Sequence, residues 1–103
     1  MKHGGFTYIM TNNYNTVLYT GVTSNLQTRL IQHLSGIHED AFTKRYHITK
    51  LVYYEEFQRI EDAIAREKQI KAGSRQKKVD LINQYNPEWK DLADRFVRIQ
   101  GKS

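Results

Sequence analysis

The sequence predicts an α+β fold: a small three-stranded antiparallel sheet flanked by helices, in the order β-β-α-β-α-α with a short C-terminal helix. Two segments near the start alternate apolar and polar residues and are separated by a turn-forming cluster. A third strand-like, aromatic segment lies between two segments whose apolar residues recur at helical spacing. Because 103 residues support one hydrophobic core, residues 1–103 are predicted to form a single domain with its core at about residues 5–97.

Three segments are predicted to be strands, namely residues 6–11, residues 17–23 and Lys50–Phe57. The first two are joined by the cluster Thr-Asn-Asn-Tyr-Asn, which is typical of a turn. Tyr8 lies in the first strand and Tyr19 in the second. Whether their rings face the same side depends on the register, which the sequence leaves open.

Four segments are predicted to be helices. The first begins near Asn25, after a Ser-x-x-Gln pattern that starts at Ser24 and is typical of a reciprocal N-terminal cap. The others are predicted over residues 59–72, 75–85 and, as a short final helix, 89–96. Residues 35–47 have no sustained period and are predicted to be an ordered loop.

The junction between the second strand and the first helix is predicted to hold a phosphate. Gly21 has no side chain there, so another backbone or a phosphate can approach closely, and a helix N-terminus favours an anion. Arg29 and His33, four residues apart, lie together on the flank of the apolar face of the helix. The junction therefore combines a possible anion site with two polar side chains.

Glu67 falls inside the apolar arc of the helix predicted at residues 59–72. Burial of a carboxylate is unfavourable unless it meets a cation, a metal or several hydrogen-bond donors. One interpretation is a metal site, and the other is an ion pair at the edge of the core with Arg29 or Lys71.

The net charge of +5 and the isoelectric point near 9.5 are compatible with a nucleic-acid partner. Six of the sixteen basic residues lie between positions 66 and 78, against one acid. Four of them are predicted to follow a phosphate backbone without recognising bases, with a solvated helix face as the alternative: Lys71, Arg75, Lys77 and Lys78.

The composition excludes several classes of protein. There is no cysteine, which excludes disulfides and cysteine-ligated zinc, so oxygen atoms must provide most ligands of any metal. The N-terminal segment lacks the apolar stretch of an export signal, and no apolar run reaches membrane-spanning length. We therefore expect a cytoplasmic protein without a membrane partner.

Taken in order, these residues resemble the GIY-YIG nuclease family, in particular its small single-domain bacterial members, which are similar to the nuclease part of the excision-repair incision subunit. Phe6-Thr7-Tyr8 stands at the first signature triplet and Tyr19-Thr20-Gly21 at the second. The family's helix arginine matches Arg29, its frequent helix histidine or tyrosine matches His33, and its metal-binding glutamate matches Glu67.

The resemblance implies the GIY-YIG fold, whose order of elements agrees with the pattern above. It also implies a metal-dependent DNA endonuclease that hydrolyses phosphodiester bonds by one-step attack of water, with structure-selective DNA repair or processing as its setting. Glu67 would bind Mg²⁺, with Mn²⁺ as a substitute, and Arg29 would stabilise the charged phosphate. Tyr8 or Tyr19 would handle the nucleophile, and His33 is either a proton donor or a structural residue.

Two positions depart from the family pattern. Val22 follows the second triplet where the repair enzymes often have lysine, and the first triplet lacks its glycine. The alternative function is therefore a catalytically weak or inactive nucleic-acid-binding module with the same fold. A purely structural interaction domain does not explain Glu67 inside an apolar arc. The sequence leaves open the preferred DNA structure, the use of RNA and the oligomeric state.

Overall fold

The computed structural model describes residues 4–35 and 41–97. Its elements are β1 (Gly5–Thr11), β2 (Leu18–Thr23), α1 (Leu26–Ser35), α2 (Ala41–Arg45), β3 (Lys50–Phe57), α3 (Ile60–Ala72), α4 (Arg75–Tyr85) and a 3₁₀ helix (Leu92–Arg95). The predicted α+β class and the order of elements are confirmed, with α2 as an addition. No helix in the described part of the chain combines the length and the apolar character that crossing a bilayer requires.

β1 is the central strand of the sheet, and β2 and β3 pair with it on either side, both antiparallel. In the register of β1 with β2, Tyr8 is opposite Gly21 and Met10 is opposite Tyr19. Residues directly opposite each other point to the same face of a sheet. Tyr8 and Tyr19 therefore lie on the same side, which the sequence had left undecided.

Two groups of buried apolar side chains lie on opposite faces of this sheet. The first packs against α1 and the 3₁₀ helix, and its members are Tyr8, Met10, Leu26, Leu30, Ile48, Leu51 and Ala93. The second packs against α3 and α4, and its members are Ile9, Val52, Tyr53, Ile70 and Ile82. β1 contributes to both because its side chains alternate between the faces. Each fully buried leucine or isoleucine stabilises the fold by about 1.5–3 kcal/mol, so neither face is dispensable.

The N-terminus of α1 is capped one residue later than predicted. The backbone N–H of Thr28 donates to Oδ1 of Asn25 at 3.0 Å, so Asn25 is the capping residue and the helix begins at Leu26. Asparagine caps a helix as well as serine does. The backbone N–H of Asn25 also donates to the Thr23 hydroxyl at 3.2 Å, and this contact fixes the turn before the helix. The prediction of Ser24 as the cap is therefore wrong.

The segment predicted to be a loop at residues 35–47 contains the short helix α2. The backbone N–H of Ile48 donates to the carbonyl of Thr43 at 3.0 Å, and both side chains are fully buried. Five residues are too few to show a helical period, so the sequence pattern gave no signal for α2. Residues 36–40, which belong to the same predicted loop, lie outside the described residues.

The chain after α4 is fixed along β3 by polar side chains. The Asn86 amide donates to the carbonyls of Val52 at 3.0 Å and Lys90 at 2.9 Å, and Oδ1 of Asp91 accepts the N–H of Leu51 at 3.1 Å. These contacts satisfy backbone groups of an edge strand.

The final helix is shorter than predicted and is of the 3₁₀ type. It covers four residues, and Trp89 precedes it with a φ of 54°, in the left-handed region. Phe96 packs edge-to-face against Phe6 and Tyr54, with ring centroids 5.9 and 4.8 Å away. Trp89 packs against the second core, on the opposite face of the sheet, so Trp89 and Phe96 belong to different clusters.

Candidate active site

Tyr8 is the most deeply buried of the predicted catalytic residues. Its side chain is 0% exposed, and its hydroxyl oxygen accepts a hydrogen bond from Nη1 of Arg29 at 3.4 Å. A Cβ atom on Gly21 would lie 2.5 Å from the same oxygen. The space beside Gly21 is therefore occupied by the Tyr8 phenol, and a phosphate site at this junction stays a prediction.

Tyr19 and His33 complete the arrangement. The ring centroid of Tyr19 lies 6.5 Å from that of Tyr8 and 6.3 Å from that of His33, which it meets edge-on at 70°. His33 is 7% exposed, whereas Tyr19 and Arg29 are partly exposed. We call the four residues Tyr8, Tyr19, Arg29 and His33 the tyrosine cluster. The fold thus brings together side chains from β1, β2 and α1 that the sequence had singled out separately.

Phe42 in α2 and Tyr46, which follows α2, extend the tyrosine cluster towards the surface. The ring of Phe42 lies 6.0 Å from that of Tyr19 and 4.9 Å from that of Tyr46. Neither residue is among the site residues predicted from the sequence. The available signal was the segment Phe42-Thr-Lys-Arg-Tyr46, in which two aromatic residues four positions apart flank two basic ones.

Glu67 lies on the other side of the sheet. The hydroxyl of Thr7, which alternates with Tyr8 along β1, donates to the carbonyl of Ala63 in α3 at 2.7 Å. Glu67 follows Ala63 by one helical turn on the buried face of α3, and its side chain is 11% exposed. Its predicted burial is confirmed. Within residues 4–35 and 41–97, the hydrogen bonds and ion pairs do not connect Glu67 with the tyrosine cluster.

The Glu67 carboxylate forms an ion pair with Lys71, with Oε2 and Nζ 2.6 Å apart. Of the two cations predicted as partners, the structure selects Lys71, because Arg29 lies against Tyr8. The Lys71 side chain is 56% exposed, so its ammonium group can be exchanged for another cation at little cost in solvation.

The residues around Glu67 provide only some of the ligands that Mg²⁺ requires. A carboxylate oxygen is a ligand that Mg²⁺ prefers, and the ion commonly binds one or two carboxylates and keeps several waters. Among the described residues, no three His, Asp or Glu side chains gather at one point. A metal at Glu67 would therefore depend on water and substrate oxygens, and it would have to displace Lys71.

The four basic residues predicted to contact DNA differ in their surroundings. Arg75 and Lys77 are exposed on the first turn of α4. Lys78 is partly buried, and its ammonium group donates to the carbonyl of Gly73 at 2.9 Å. Lys71 is exposed but pairs with Glu67, whereas Arg75 and Lys77 have no ion pair among the described residues. A contact of all four residues with DNA stays a prediction.

A second polar network joins β3 to α3. The Tyr53 hydroxyl donates to Oε2 of Glu55, which also accepts from Nε of Arg66 at 3.0 Å. Burial, reinforced by the hydrogen bond to Glu55, raises the pKa of Tyr53 well above its usual range. The network borders a cavity of about 900 Å³ between β3 and residues 85–95, which no predicted catalytic residue lines. This cavity is therefore separate from the candidate active site.

The chain is similar in sequence to known proteins. A family model described as the GIY-YIG catalytic domain matches residues 4–86. A UPF0213 protein of Syntrophus aciditrophicus is 44% identical over 71 residues, which are 69% of this chain and 80% of that relative. A UPF0213 protein of Staphylococcus haemolyticus is 37% identical over 83 residues, which are 81% of this chain and 96% of that relative.

The fold has a counterpart among solved structures. The solution NMR structure of a UPF0213 protein from Bacillus halodurans superposes with a TM-score of 0.55 at 25% identity, covering 88% of this chain and 95% of that one. The family match spans both signature triplets as well as Arg29 and Glu67. The order of strands and helices, the matched span and the identities to these relatives agree: the chain belongs to the GIY-YIG family.

Proposed function

We propose that this protein is a metal-dependent DNA endonuclease that hydrolyses phosphodiester bonds by one-step attack of water. The observation that supports this most strongly is the tyrosine cluster, in which a guanidinium group and two phenols meet on one face of the sheet. Membership of the GIY-YIG family supports a nucleic acid as the substrate. Structure-selective cleavage in DNA repair or processing is part of the same proposal.

Arg29 would stabilise the phosphate in the transition state. Its planar fork matches two phosphate oxygens and keeps its charge when phosphorus gains an extra oxygen. Tyr8 is fully buried and accepts a hydrogen bond from Arg29, so its hydroxyl can hold the guanidinium in place without reaching the substrate itself. We therefore assign Tyr8 as a positioning residue.

Tyr19 is the tyrosine that would handle the water, because it is the more exposed of the two. The water oxygen bonds to phosphorus and releases one proton to the solvent beside Tyr19, while the bond from phosphorus to the leaving sugar oxygen breaks and that oxygen takes up a proton from the solvent. His33 is nearly buried and packs edge-on against the Tyr19 ring, so it fits the orientation of Tyr19 better than proton donation to a leaving group.

Glu67 would hold the metal once Lys71 has left its carboxylate. Bound Mg²⁺ supplies positive charge to a phosphoryl oxygen and to the leaving group. The β2 strand is an edge of the sheet, so a phosphate beside its outer side can approach residues from both faces. This placement would allow the tyrosine cluster and Glu67 to act on the same strand of DNA.

A nucleic-acid-binding module without turnover is the second candidate, and one observation favours it. Val22 is opposite Thr7 in the register and therefore lies on the face that α3 covers, the same face as Glu67. An apolar residue at that point cannot contribute the positive charge that a lysine would. Binding without cleavage is the outcome that this candidate predicts.

A cleavage assay separates the two candidates. Labelled single-stranded, duplex, flap and branched DNA would each be incubated with the protein in Mg²⁺, in Mn²⁺ and in chelator. The endonuclease proposal expects cuts in at least one DNA that require the metal and disappear in chelator. Binding of every DNA by fluorescence anisotropy without any cut in either metal would leave the binding module as the function.

A further inference from the structure

An aromatic row leads from the buried core to the surface beside the candidate active site. We define it as Tyr8, Tyr19, Phe42 and Tyr46, whose successive ring centroids are 6.5, 6.0 and 4.9 Å apart. Tyr8 is 0% exposed, whereas Phe42 is 42% and Tyr46 is 38% exposed. The outer half of the row therefore presents aromatic surface to solvent next to the tyrosine cluster.

Cations accompany the exposed part of the row. The guanidinium carbon of Arg45 lies 5.5 Å from the centroid of the Tyr46 ring, and Lys44 is exposed on the same helix. A cation within about 6 Å of a ring face is attracted by the ring electrons. Residues 42–46 thus combine two aromatic rings with two positive charges.

Two fully buried residues anchor α2 besides these rings. Thr43 and Ile48 are both fully buried, and Ile48 belongs to the first core, so the segment is attached through Ile48. An i, i+4 ring pair stabilises one helical turn only slightly, by about 0.2–0.5 kcal/mol. The exposed faces of Phe42 and Tyr46 are therefore available for an external partner.

Rings interleaved with cations are the arrangement that single-stranded nucleic acids bind. Unpaired bases stack on aromatic side chains, and Lys or Arg residues neutralise the adjacent phosphates. In a duplex the base faces are already stacked on one another, so duplex DNA can offer only its phosphates to the cations. The positive charge argues against a second copy of this basic chain or an apolar peptide as the partner.

We propose that Phe42 and Tyr46 form a stacking platform for unpaired nucleotides adjacent to the bond that is cut, with Arg45 and Lys44 on their phosphates. This inference rests on the proposed function and deepens it, because it specifies the substrate class: DNA with single-stranded bases next to the scissile phosphate. Duplex DNA without unpaired bases is the poorer ligand.

Binding measured in chelator tests the platform without relying on cleavage. A single-stranded oligonucleotide with one 2-aminopurine would report stacking by fluorescence quenching, and anisotropy would give its affinity and that of a matched duplex. Each stacked base contributes on the order of tenfold or more in affinity. The variant Phe42→Leu/Tyr46→Leu, which keeps apolar volume, should lose at least tenfold in affinity for the single strand and less than twofold for the duplex.

Tyr85→Leu is the matched control, because Tyr85 is 66% exposed and pairs with Tyr53 on the opposite face of the sheet. Tyr85→Leu should change neither the affinity for the single strand nor the affinity for the duplex. Equal losses for single strand and duplex, an unquenched 2-aminopurine in the wild type, or an oligonucleotide of abasic sites that binds as tightly as one with bases would each overturn the platform. A change of sedimentation in the double variant, with DNA affinity unchanged, would instead identify a second copy as the occupant.

The two proposals fail in different ways. If the platform is wrong and the endonuclease is right, the double variant cuts flap and duplex DNA at the wild-type ratio. If the endonuclease is wrong and the platform is right, no DNA is cut, but the single-strand preference and its loss in the double variant remain. Melting curves of the double variant check that α2 stays attached.

Discussion

At the residue scale, the contact between Gly21 and Tyr8 sets the geometry of the candidate active site. The phenol occupies the volume that a side chain at position 21 would fill, and its hydroxyl meets Arg29 from that position. The second signature triplet therefore needs its glycine for packing against the tyrosine of the first triplet. This dependence links two short motifs that are separate in the sequence.

Gly21→Ala should destabilise the protein by about 1–3 kcal/mol, because the new methyl group would lie within 3 Å of the fully buried Tyr8 side chain, which would have to shift. Urea denaturation followed by circular dichroism would measure the loss. Gly73→Ala is the control, since a Cβ there would lie 3.4 Å from its nearest neighbour, and its effect should stay within about 0.5 kcal/mol. Equal effects of the two substitutions would contradict the packing role.

Arg29→Ala should lower the rate of cleavage by roughly a hundredfold or more while weakening DNA binding much less, because its charge is needed most in the transition state. Arg29→Lys should recover little, since lysine lacks the planar fork. Single-turnover rates and anisotropy would give the two quantities. Arg59→Ala, at an exposed residue paired with Glu61, is the control. Wild-type rates for Arg29→Ala would show that the site is assigned wrongly.

Glu67 and Lys71 provide a test of the metal site. If Mg²⁺ competes with Lys71 for the carboxylate, Lys71→Gln should increase the Mg²⁺-dependent rise in Tm, and Glu67→Gln should abolish that rise. Because Lys71 is mostly solvated, Glu67→Gln should leave the Tm of the metal-free protein nearly unchanged or slightly higher. Calorimetry of the three proteins with and without Mg²⁺ measures these shifts. A Tm that does not change with Mg²⁺ in any of the three proteins would exclude Glu67 as a metal ligand.

At the element scale, the corner between α3 and α4 contains two kinds of lysine. One forms a hydrogen bond within the fold, and the other is exposed to solvent. The Ser74 hydroxyl accepts the N–H of Lys77 at 3.1 Å and caps α4. Lys78 donates to the Gly73 carbonyl at the end of α3, whereas the side chain of Lys77 is exposed. Neighbouring lysines in the sequence thus have different surroundings.

Lys77→Ala should make the salt dependence of DNA binding shallower by roughly one unit and leave stability unchanged, because it removes one phosphate contact. Lys78→Ala should instead lower the free energy of unfolding by about 0.5–1.5 kcal/mol through the lost hydrogen bond to Gly73. Anisotropy titrations at four salt concentrations and urea denaturation measure the two effects. Identical salt slopes for wild type and Lys77→Ala would exclude that lysine from the DNA interface.

At the scale of the whole molecule, the sheet separates two cores that share the strands β1 and β3. Side chains of β1 contribute to both cores, so loss of either core exposes one face of the strand on which the other core also packs. We therefore expect one cooperative unfolding transition, in agreement with the single domain predicted from the chain length.

Leu30→Ala in the first core and Ile82→Ala in the second should each lower the free energy of unfolding by about 2–5 kcal/mol within a single transition. Trp89 is the only tryptophan and packs against the second core, so its fluorescence reports that side, and far-ultraviolet circular dichroism reports the whole chain. Ile31→Ala, at a position 47% exposed on α1, is the control. Transitions that separate by probe in either variant would mean that the two cores unfold independently.

The sequence by itself determined the class of the fold, the order of its elements and most of their ends. Strand alternation, helical spacing and caps are local, so they can be recognised without tertiary contacts. β3 and α4 have the predicted bounds for this reason. The sequence also identified the four residues of the tyrosine cluster, although it could not place them together, and it identified the burial of Glu67 from the apolar arc around it.

Only the tertiary structure decided how these parts meet. The register puts Tyr8 opposite Gly21, packing fills the room at Gly21 with a phenol, and α3 places Glu67 on the far face with Lys71 as its partner. Helix α2 could not be predicted from the sequence either. Its five residues are too few to show a helical period, and the residues that anchor it are buried through contacts with the first core. Each of these features depends on residues that are distant in the chain, and local patterns do not encode the distances between them.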